Sequence, residues 1–234
     1  MSVIELLNNI ANDEQNLTND YWYLIAVAIV MSSVNKPEDI QYIYQTIEAK
    51  IDNLSQQNES KKNNILSSIV LRLREAVLKS HVIIGFPKTI NTLQQLSIVT
   101  PDHVKALLPK KPLRNEEKWA DVQFQRQRGK ALFNKIYDRH AEKVMNNMYQ
   151  THPDLAQTAL HHLYGPTLSE TSILDAKETS LITVAGLMIQ NIPLQLKGHS
   201  YGALHNGATE DDLRRVQSIV TILSEHYQCT IAKL

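Results

Sequence analysis

The stretch from residue 174 to residue 228 decides the fold: it reads LDAKETSLITVAGLMIQNIPLQLKGHSYGALHNGATEDDLRRVQSIVTILSEHYQ. It contains a long apolar segment, a short polar segment and a second apolar segment. Proline has no amide hydrogen and suits the first turn of a helix, so Pro193 separates the first helix from the segment that carries Gln195 and His199. Polar groups capable of chemistry therefore lie between apolar helices.

The last helix of this stretch has a start signal of its own. Thr209 and Asp212 are three residues apart, as in a capping box, where each side chain accepts a hydrogen bond from the other residue's backbone. Leu213, Val216 and Val220 follow at helical spacing. We therefore predict a helix that starts directly after Thr209, and we interpret the acidic residues there as structural.

The composition favours a helical protein. Glycine and proline are few, at 7 and 8 among 234 residues, and no segment alternates polar and apolar residues as a half-buried strand would. The 24 lysines and arginines balance the 24 aspartates and glutamates, so nothing favours a nucleic-acid partner. No apolar run reaches the roughly 20 residues that span a bilayer. The N-terminus, MSVIELLNNIANDE, lacks the features of a secretory signal.

An internal repeat relates the two halves of the chain. LIAVA at residues 24–28 is similar to LITVA at residues 181–185, and a Leu-Arg pair at residues 73–74 is similar to one at residues 213–214. We predict two tandem, divergent copies of one helical unit: an N-terminal copy over residues 1–110 and a C-terminal copy over residues 111–234. Pro112 lies in the segment that we interpret as the linker.

The sequence resembles a known family in several places. LITVAGL at residues 181–187 and QLKGHSYGALHNGAT at residues 195–209 resemble the carboxymuconolactone decarboxylase family, which includes the AhpD-like alkyl hydroperoxidases. Residues 128–228 are similar to one nearly complete domain, which opens with Arg128-Gly129, Phe133 and Tyr137. The first half is a fainter match, as in the duplicated fungal peroxisomal members. The resemblance implies an all-α, AhpD-like helical bundle that forms homo-oligomers.

The peroxidase branch of the family uses a CxxC pair, supported by a glutamate and a histidine. The resemblance places these thiols at Ile192 and Gln195, and neither residue is a cysteine. The one cysteine, Cys229, lies on the following helix without a second cysteine as partner. Because a thiol peroxidase needs a thiolate at the site, this activity is not expected.

The decarboxylase branch implies a different set of site residues: His199 and Gln195 as catalytic residues, with Ser180 and Ile192 lining the pocket. Ser180 stands where the family has a glutamate, and a serine cannot act as its carboxylate does. Glu178 is a tentative substitute, although two helix positions rotate a side chain by about 200°.

Two interpretations of His199 follow, and the sequence leaves open whether the protein is an enzyme. In the first, His199 performs decarboxylase-like acid/base chemistry on a small acid, lactone or acyl thioester. In the second, it is a structural histidine in a non-catalytic, oligomeric binding protein whose site has decayed. The histidines show no metal-ligand spacing, so we predict neither a metal nor another cofactor.

The chain ends in Ala232-Lys233-Leu234. This ending resembles the type-1 peroxisomal targeting signal, of the SKL kind, which an import receptor reads. We therefore predict a protein of the peroxisomal matrix. Its expected partners are the import receptor, further copies of itself and a small-molecule ligand, with neither nucleic acid nor membrane among them.

Overall fold

The computed structural model describes residues 1–13, 21–54 and 58–234, and these residues form helices without any β-strand. The all-α prediction is thereby confirmed. Within the described residues, no helix is long and apolar enough to cross a membrane. The α-helices are α1 Val3–Asn12, α2 Trp22–Ser33, α3 Ile40–Leu54, α4 Glu59–Ile84, α5 Phe86–Val99, α6 Asp102–Lys105, α7 Trp119–Tyr137, α8 Ala141–Thr151, α9 Pro153–Thr158, α10 Ala176–Ile189, α11 Pro193–His205 and α12 Glu210–His226. Short 3-10 helices cover Pro37–Asp39 and Asp138–His140, and a π-helix covers Ala159–Leu168.

Two helices form the centre of the bundle. Every described side chain of α2 and every side chain of α10 from Thr179 to Ile189 is buried. A helix that is apolar on all faces must be surrounded by other helices, and α2 and α10 pack against each other and against α4 and α12. The sequence predicts a helix from about Asn19 to Val34 that is apolar nearly all round and therefore buried, and its burial is confirmed for the described side chains of α2. Its expected start near Asn19 lies outside the described residues.

The packing is reciprocal between the two halves. α2 packs against α4 of its own half and α12 of the other, while α10 packs against α12 of its own half and α4 of the other. Two copies of one helical unit that are related by a two-fold axis would show this same pattern of packing. The order of an apolar helix, a middle helix and an amphipathic helix is also the same in both halves. Tandem duplication, and the boundary after residue 110, remain predictions.

A second, smaller core forms beside this bundle, where α7 packs against the π-helix and α11. Glycine makes both contacts close. A Cβ atom on Gly129 would lie 2.5 Å from the backbone of Gly165, and one on Gly202 would lie 2.6 Å from the side chain of Ile136. Because real Cβ atoms do not approach so closely, glycine is required for these helices to meet. The C-terminal end of α7 is thereby held against α11.

The segment between α6 and α7 is tied to both cores. Arg114 forms an ion pair with the buried Glu75 of α4 and donates hydrogen bonds to the carbonyl oxygens of Pro166 and Thr167. Nearby, Lys79 is 2% exposed and its ammonium group donates to the Glu170 carbonyl oxygen and the Thr179 hydroxyl. Burial lowers the pKa of Lys79 to about 8. These polar links fix the smaller core against the bundle.

Candidate functional site

A cleft of about 730 Å³ lies where the C-terminal end of α7 meets α8 and α11. This volume is within the usual range for a small-molecule site. Its walls are mostly apolar, and a few polar groups converge on it. The lining residues are Ile136, Tyr137, Asp138, Arg139, His140, Val144 and Met148 on one side and Leu194, Gln195, Gly198, Tyr201 and His205 on the other.

A chain of hydrogen bonds leads from this cleft into the smaller core. The hydroxyl oxygen of Tyr137 lies 3.3 Å from Nε2 of His199, and the Tyr164 hydroxyl donates a hydrogen bond to the same oxygen at 3.4 Å. Tyr164 is buried, whereas Tyr137 and His199 are partly buried. The three side chains come from the π-helix, α7 and α11, so only the folded chain brings them together.

The aromatic packing holds these rings in place. Phe133 lies one turn before Tyr137, and its ring centroid is 4.6 Å from that of Tyr137 and 5.1 Å from that of Tyr164. The rings of Tyr137 and His199 meet edge to face at a centroid distance of 5.9 Å. Edge-to-face contacts of this kind are favourable and fix ring orientation.

Burial favours the neutral form of all three polar side chains. It lowers the pKa of His199 to about 4, because the charged imidazolium is poorly solvated there. It raises the pKa of Tyr137, and it raises the pKa of Tyr164 well above the ordinary value. At neutral pH the site therefore holds a neutral imidazole and two protonated phenols.

The other residues that the sequence assigns to the site occupy different places. Gln195 is exposed and lines the cleft, one helical turn before His199. Ile192 immediately precedes α11, is partly buried and packs against the main core. The structure thus brings Gln195 to the same cleft as Tyr137 and directs Ile192 into the bundle.

Ser180 makes a structural contact. Its Oγ donates to the Ala176 carbonyl oxygen at 2.8 Å, and it accepts a hydrogen bond from Nδ2 of Asn206 at 3.0 Å. Ser180 is 5% exposed and Asn206 is 7% exposed. The position at which the resemblance implies a glutamate is therefore used to join α10 to the turn after α11.

Glu178 is engaged away from His199. Its carboxylate forms an ion pair with Arg72 of α4, and it accepts a hydrogen bond from the Asp175 backbone N–H in the capping box of α10. Arg72 also donates to the hydroxyl oxygen of Tyr23 at 2.8 Å. The tentative assignment of Glu178 as the carboxylate partner of His199 does not fit these contacts, because both of its oxygens have other partners.

His205 is a further polar group of the cleft. Its Nδ1 lies 3.1 Å from the carbonyl oxygen of Ile136 and donates a hydrogen bond to it, because a carbonyl oxygen can only accept. Neither His205 nor Tyr137 was assigned to the site from the sequence. The one-turn spacing of Phe133 and Tyr137 was the signal available for Tyr137, since it predicts an aromatic face on α7.

Among the described residues, no group of three or more His, Cys, Asp and Glu side chains is arranged to hold a metal ion. Cys229 is partly buried, packs against the main core, and its Sγ approaches the Tyr227 carbonyl oxygen.

The C-terminal tripeptide is partly docked on the bundle. Ala232 is 4% exposed, and its backbone N–H donates to the Met188 carbonyl oxygen at 2.9 Å. Lys233 and Leu234 are exposed. The basic side chain and the terminal leucine are thus accessible in the folded protein.

The comparisons with known proteins agree with this architecture. Residues 153–225 match the model of the carboxymuconolactone decarboxylase family. Peroxisomal protein 2 of Schizosaccharomyces pombe is 31% identical over 203 residues, which cover 87% of this chain and 85% of that protein. Peroxisomal protein 2 of Saccharomyces cerevisiae is 27% identical over 248 residues, with 87% of each chain covered. No solved structure matches the chain.

The fold and the matched domain define the class: an all-α protein with a carboxymuconolactone decarboxylase domain in its C-terminal part. Within that class, the chain belongs to the family of the two fungal proteins called Peroxisomal protein 2. The names of these relatives confirm the prediction of a peroxisomal protein.

Proposed function

We propose that this protein binds a small molecule in the α7–α8–α11 cleft and performs decarboxylase-like acid/base chemistry there on a small acid, lactone or acyl thioester. The observation that carries the proposal is the hydrogen bond between Tyr137, which lines the cleft, and His199. Gln195 lines the opposite wall of the cleft and offers an amide group that can orient a substrate oxygen.

Decarboxylation of such a substrate requires a proton donor at the site. When a carboxylate leaves as CO2, the electron pair of the broken bond remains on the α carbon as an enolate, which must then take up a proton. A positioned proton donor typically contributes about 10²- to 10⁴-fold to the rate. The neutral His199 supports this step as a hydrogen-bonding group, because its lowered pKa, about 4, leaves little imidazolium near pH 7.

A second candidate function is that of a non-catalytic, homo-oligomeric binding protein. Two observations favour it. Ser180 replaces the glutamate that the resemblance implies and is committed to Asn206. Large apolar side chains are exposed at the cleft rim, with Leu194 at 85% and Tyr201 at 57%, and on α7, with Trp119 at 61%. Exposed apolar groups of this size mark contact surfaces in many proteins.

We further propose that the import receptor binds the C-terminal tripeptide. Lys233 and Leu234 are exposed, as recognition of the basic side chain and the terminal leucine requires. The Ala232–Met188 hydrogen bond must break if the receptor also binds the backbone of Ala232.

The test is release of labelled CO2 by the purified full-length protein from a panel of β-keto acids and carboxylactones. We expect turnover above the buffer rate, and a loss of about 10²-fold in His199→Leu, which keeps a similar volume but no hydrogen bond. The matched control is His103→Leu, at an exposed position. Saturable binding of panel members without turnover would instead support the second candidate function, that of a non-catalytic binding protein.

A further inference from the structure

A groove separate from the α7–α8–α11 cleft runs between α4, α5 and the segment that follows α6, and the two linings share no residue. It consists of two pockets, of about 230 Å³ and about 500 Å³. Arg74, Leu93 and Pro109 line both pockets, so the pockets adjoin at these residues. Along α4 the lining extends from Val70 to Leu78, which is about 12 Å at about 1.5 Å per residue. We call the two pockets together the Arg74 groove.

The two ends of the Arg74 groove differ in chemistry. Lys105, Lys110 and the polar Ser97 line the smaller pocket. The larger pocket is mostly apolar, and the apolar residues that line it alone are Leu71, Leu78, Pro112, Leu113 and Ile173. An elongated groove with basic residues at one end and apolar residues at the other matches a molecule that has an anionic head group and an apolar chain.

Arg74 lies where the two pockets meet, and its side chain is exposed. Arg74 and Lys110 form no hydrogen bond or ion pair with the part of the chain that the structure describes. Lys105 pairs with Asp102 at 3.1 Å, but the Asp102 side chain is 98% exposed, and surface pairs of this kind are weak. The positive charges at this end of the groove are therefore available to a ligand.

The charged residues of the larger pocket are Glu75 and Lys111. Glu75 is buried, its carboxylate forms an ion pair with Arg114, and Nζ of Lys79 lies 4.0 Å from the same carboxylate. A second carboxylate placed beside Glu75 would be repelled by its charge, whereas an uncharged alkyl chain would not. The charges therefore favour an anion in the smaller pocket and an apolar chain in the larger one.

We propose that the Arg74 groove binds a single-chain amphiphile whose anionic head group, a carboxylate or a phosphate, lies at Arg74, Lys105 and Lys110 and whose alkyl chain fills the larger pocket. The guanidinium group of Arg74 offers paired donors that match the oxygens of either head group. Burial of the alkyl chain among the leucine side chains adds hydrophobic free energy to the binding. This site goes beyond the proposed function and does not depend on it.

Calorimetric titration of the purified full-length protein with octanoate and octyl phosphate tests the proposal. Octan-1-ol has the chain without the charge, and acetate has the charge without the chain. We expect saturable binding of at least one anionic amphiphile at one site per chain, and binding at least about 10-fold weaker for octan-1-ol and for acetate. The tighter of the two anions identifies the head group. Failure of both anions to bind, or equal affinity for octan-1-ol, would overturn the proposal.

Two pairs of variants locate the bound amphiphile. Arg74→Gln is expected to weaken binding about 10-fold, and the control Arg214→Gln, at a side chain that is 68% exposed on α12, should bind as the wild-type protein does. Leu113→Glu adds a carboxylate to the apolar pocket and is expected to weaken binding at least 10-fold. Its control is Leu107→Glu, because Leu107 lies on the same segment, is similarly exposed and lines neither pocket.

The exposure of all four positions means that these variants should fold, which urea denaturation verifies. Wild-type affinity in Arg74→Gln would overturn the proposal, because the anion would then be bound elsewhere. Equal losses in Leu113→Glu and Leu107→Glu would overturn it as well, since the effect would then come from added negative charge and not from the groove.

Discussion

Asn206 donates a hydrogen bond from Nδ2 to the Oγ atom of Ser180 at 3.0 Å, and both residues are buried. The contact joins the first turns of α10 to the turn between α11 and α12. It occupies the place where the family resemblance implies a catalytic glutamate, so the side chain at this position bonds to a neighbouring turn of the fold.

Removal of the Ser180 hydroxyl is expected to destabilise the protein. In Ser180→Ala the buried Asn206 amide loses its acceptor, at a cost of about 1–2 kcal/mol in the free energy of unfolding. Urea denaturation measures this change. Ser200→Ala is the control, because its hydroxyl bonds only within its own helix, to the Leu196 carbonyl oxygen. Equal losses in both variants would mean that the contact with Asn206 contributes nothing.

Glu178 is expected to matter for stability and not for chemistry. Glu178→Ala removes the partner of Arg72 and the capping-box contact with Asp175, and we expect a cost of about 2 kcal/mol. The exposed Glu142→Ala on α8 should change the free energy of unfolding by less than about 0.5 kcal/mol. Loss of turnover in a Glu178→Ala protein of unchanged stability would contradict this prediction and support a catalytic role for Glu178.

Acid is expected to destabilise the protein through His199. Its pKa is about 4 in the folded chain and near 6.5 in the unfolded chain, so the unfolded chain binds the proton first as the pH falls. The contribution of the neutral, buried His199 to the free energy of unfolding is fully present above about pH 6.5 and decreases between pH 6.5 and pH 4. Between pH 7 and pH 5 the protonation of His199 lowers the free energy of unfolding by about 2 kcal/mol.

The His199→Gln variant isolates this effect, because glutamine does not titrate. Chemical denaturation at several pH values should show a shallower decrease in stability for His199→Gln than for the wild-type protein. The exposed His103→Gln variant should follow the wild-type curve. Parallel curves for wild-type and His199→Gln proteins would contradict the low pKa of His199.

The contact of α7 with the π-helix is expected to be intolerant of any side chain. In Gly129→Ala the new Cβ would lie 2.5 Å from the backbone of Gly165, so the helices must separate. We expect a loss of more than about 3 kcal/mol, measured by thermal or urea unfolding. In Gly186→Ala on α10, the nearest atoms belong to Ile83 at ordinary contact distance, 3.5 Å. That variant should be neutral or gain up to about 1 kcal/mol from helix propensity.

Peroxisomal import is expected to depend on the last two residues. Deletion of Lys233 and Leu234 removes exposed side chains and leaves the Ala232–Met188 hydrogen bond intact, so stability should change by less than about 0.5 kcal/mol. A fluorescent protein fused to the N-terminus should then remain in the cytosol. Cells without the wild-type copy are needed, because a wild-type partner in an oligomer would carry the variant into the organelle. Import of the truncated protein alone would contradict the proposed signal.

Much of the local structure could be predicted from the sequence. The capping box of Thr209 and Asp212 starts α12 as expected, because such a cap involves only residues three positions apart. The burial of α2 and α10 was equally predictable, since a helix that is apolar all round has no face for water. The sequence did not reveal that Asp212 also accepts a hydrogen bond from the Tyr21 hydroxyl, 191 positions away in the chain.

The site itself was predictable only in part. The sequence determined the helices, the class of fold and the absence of a CxxC pair, because these depend on residue type and short-range spacing. The partners of each polar side chain depend on which helices meet. Tertiary packing pairs Glu178 with Arg72 and Ser180 with Asn206, and it places Tyr137 between the cleft and His199. Hydrogen bonds act over about 3 Å, so a side chain's role follows from the folded neighbourhood and not from its position in the sequence.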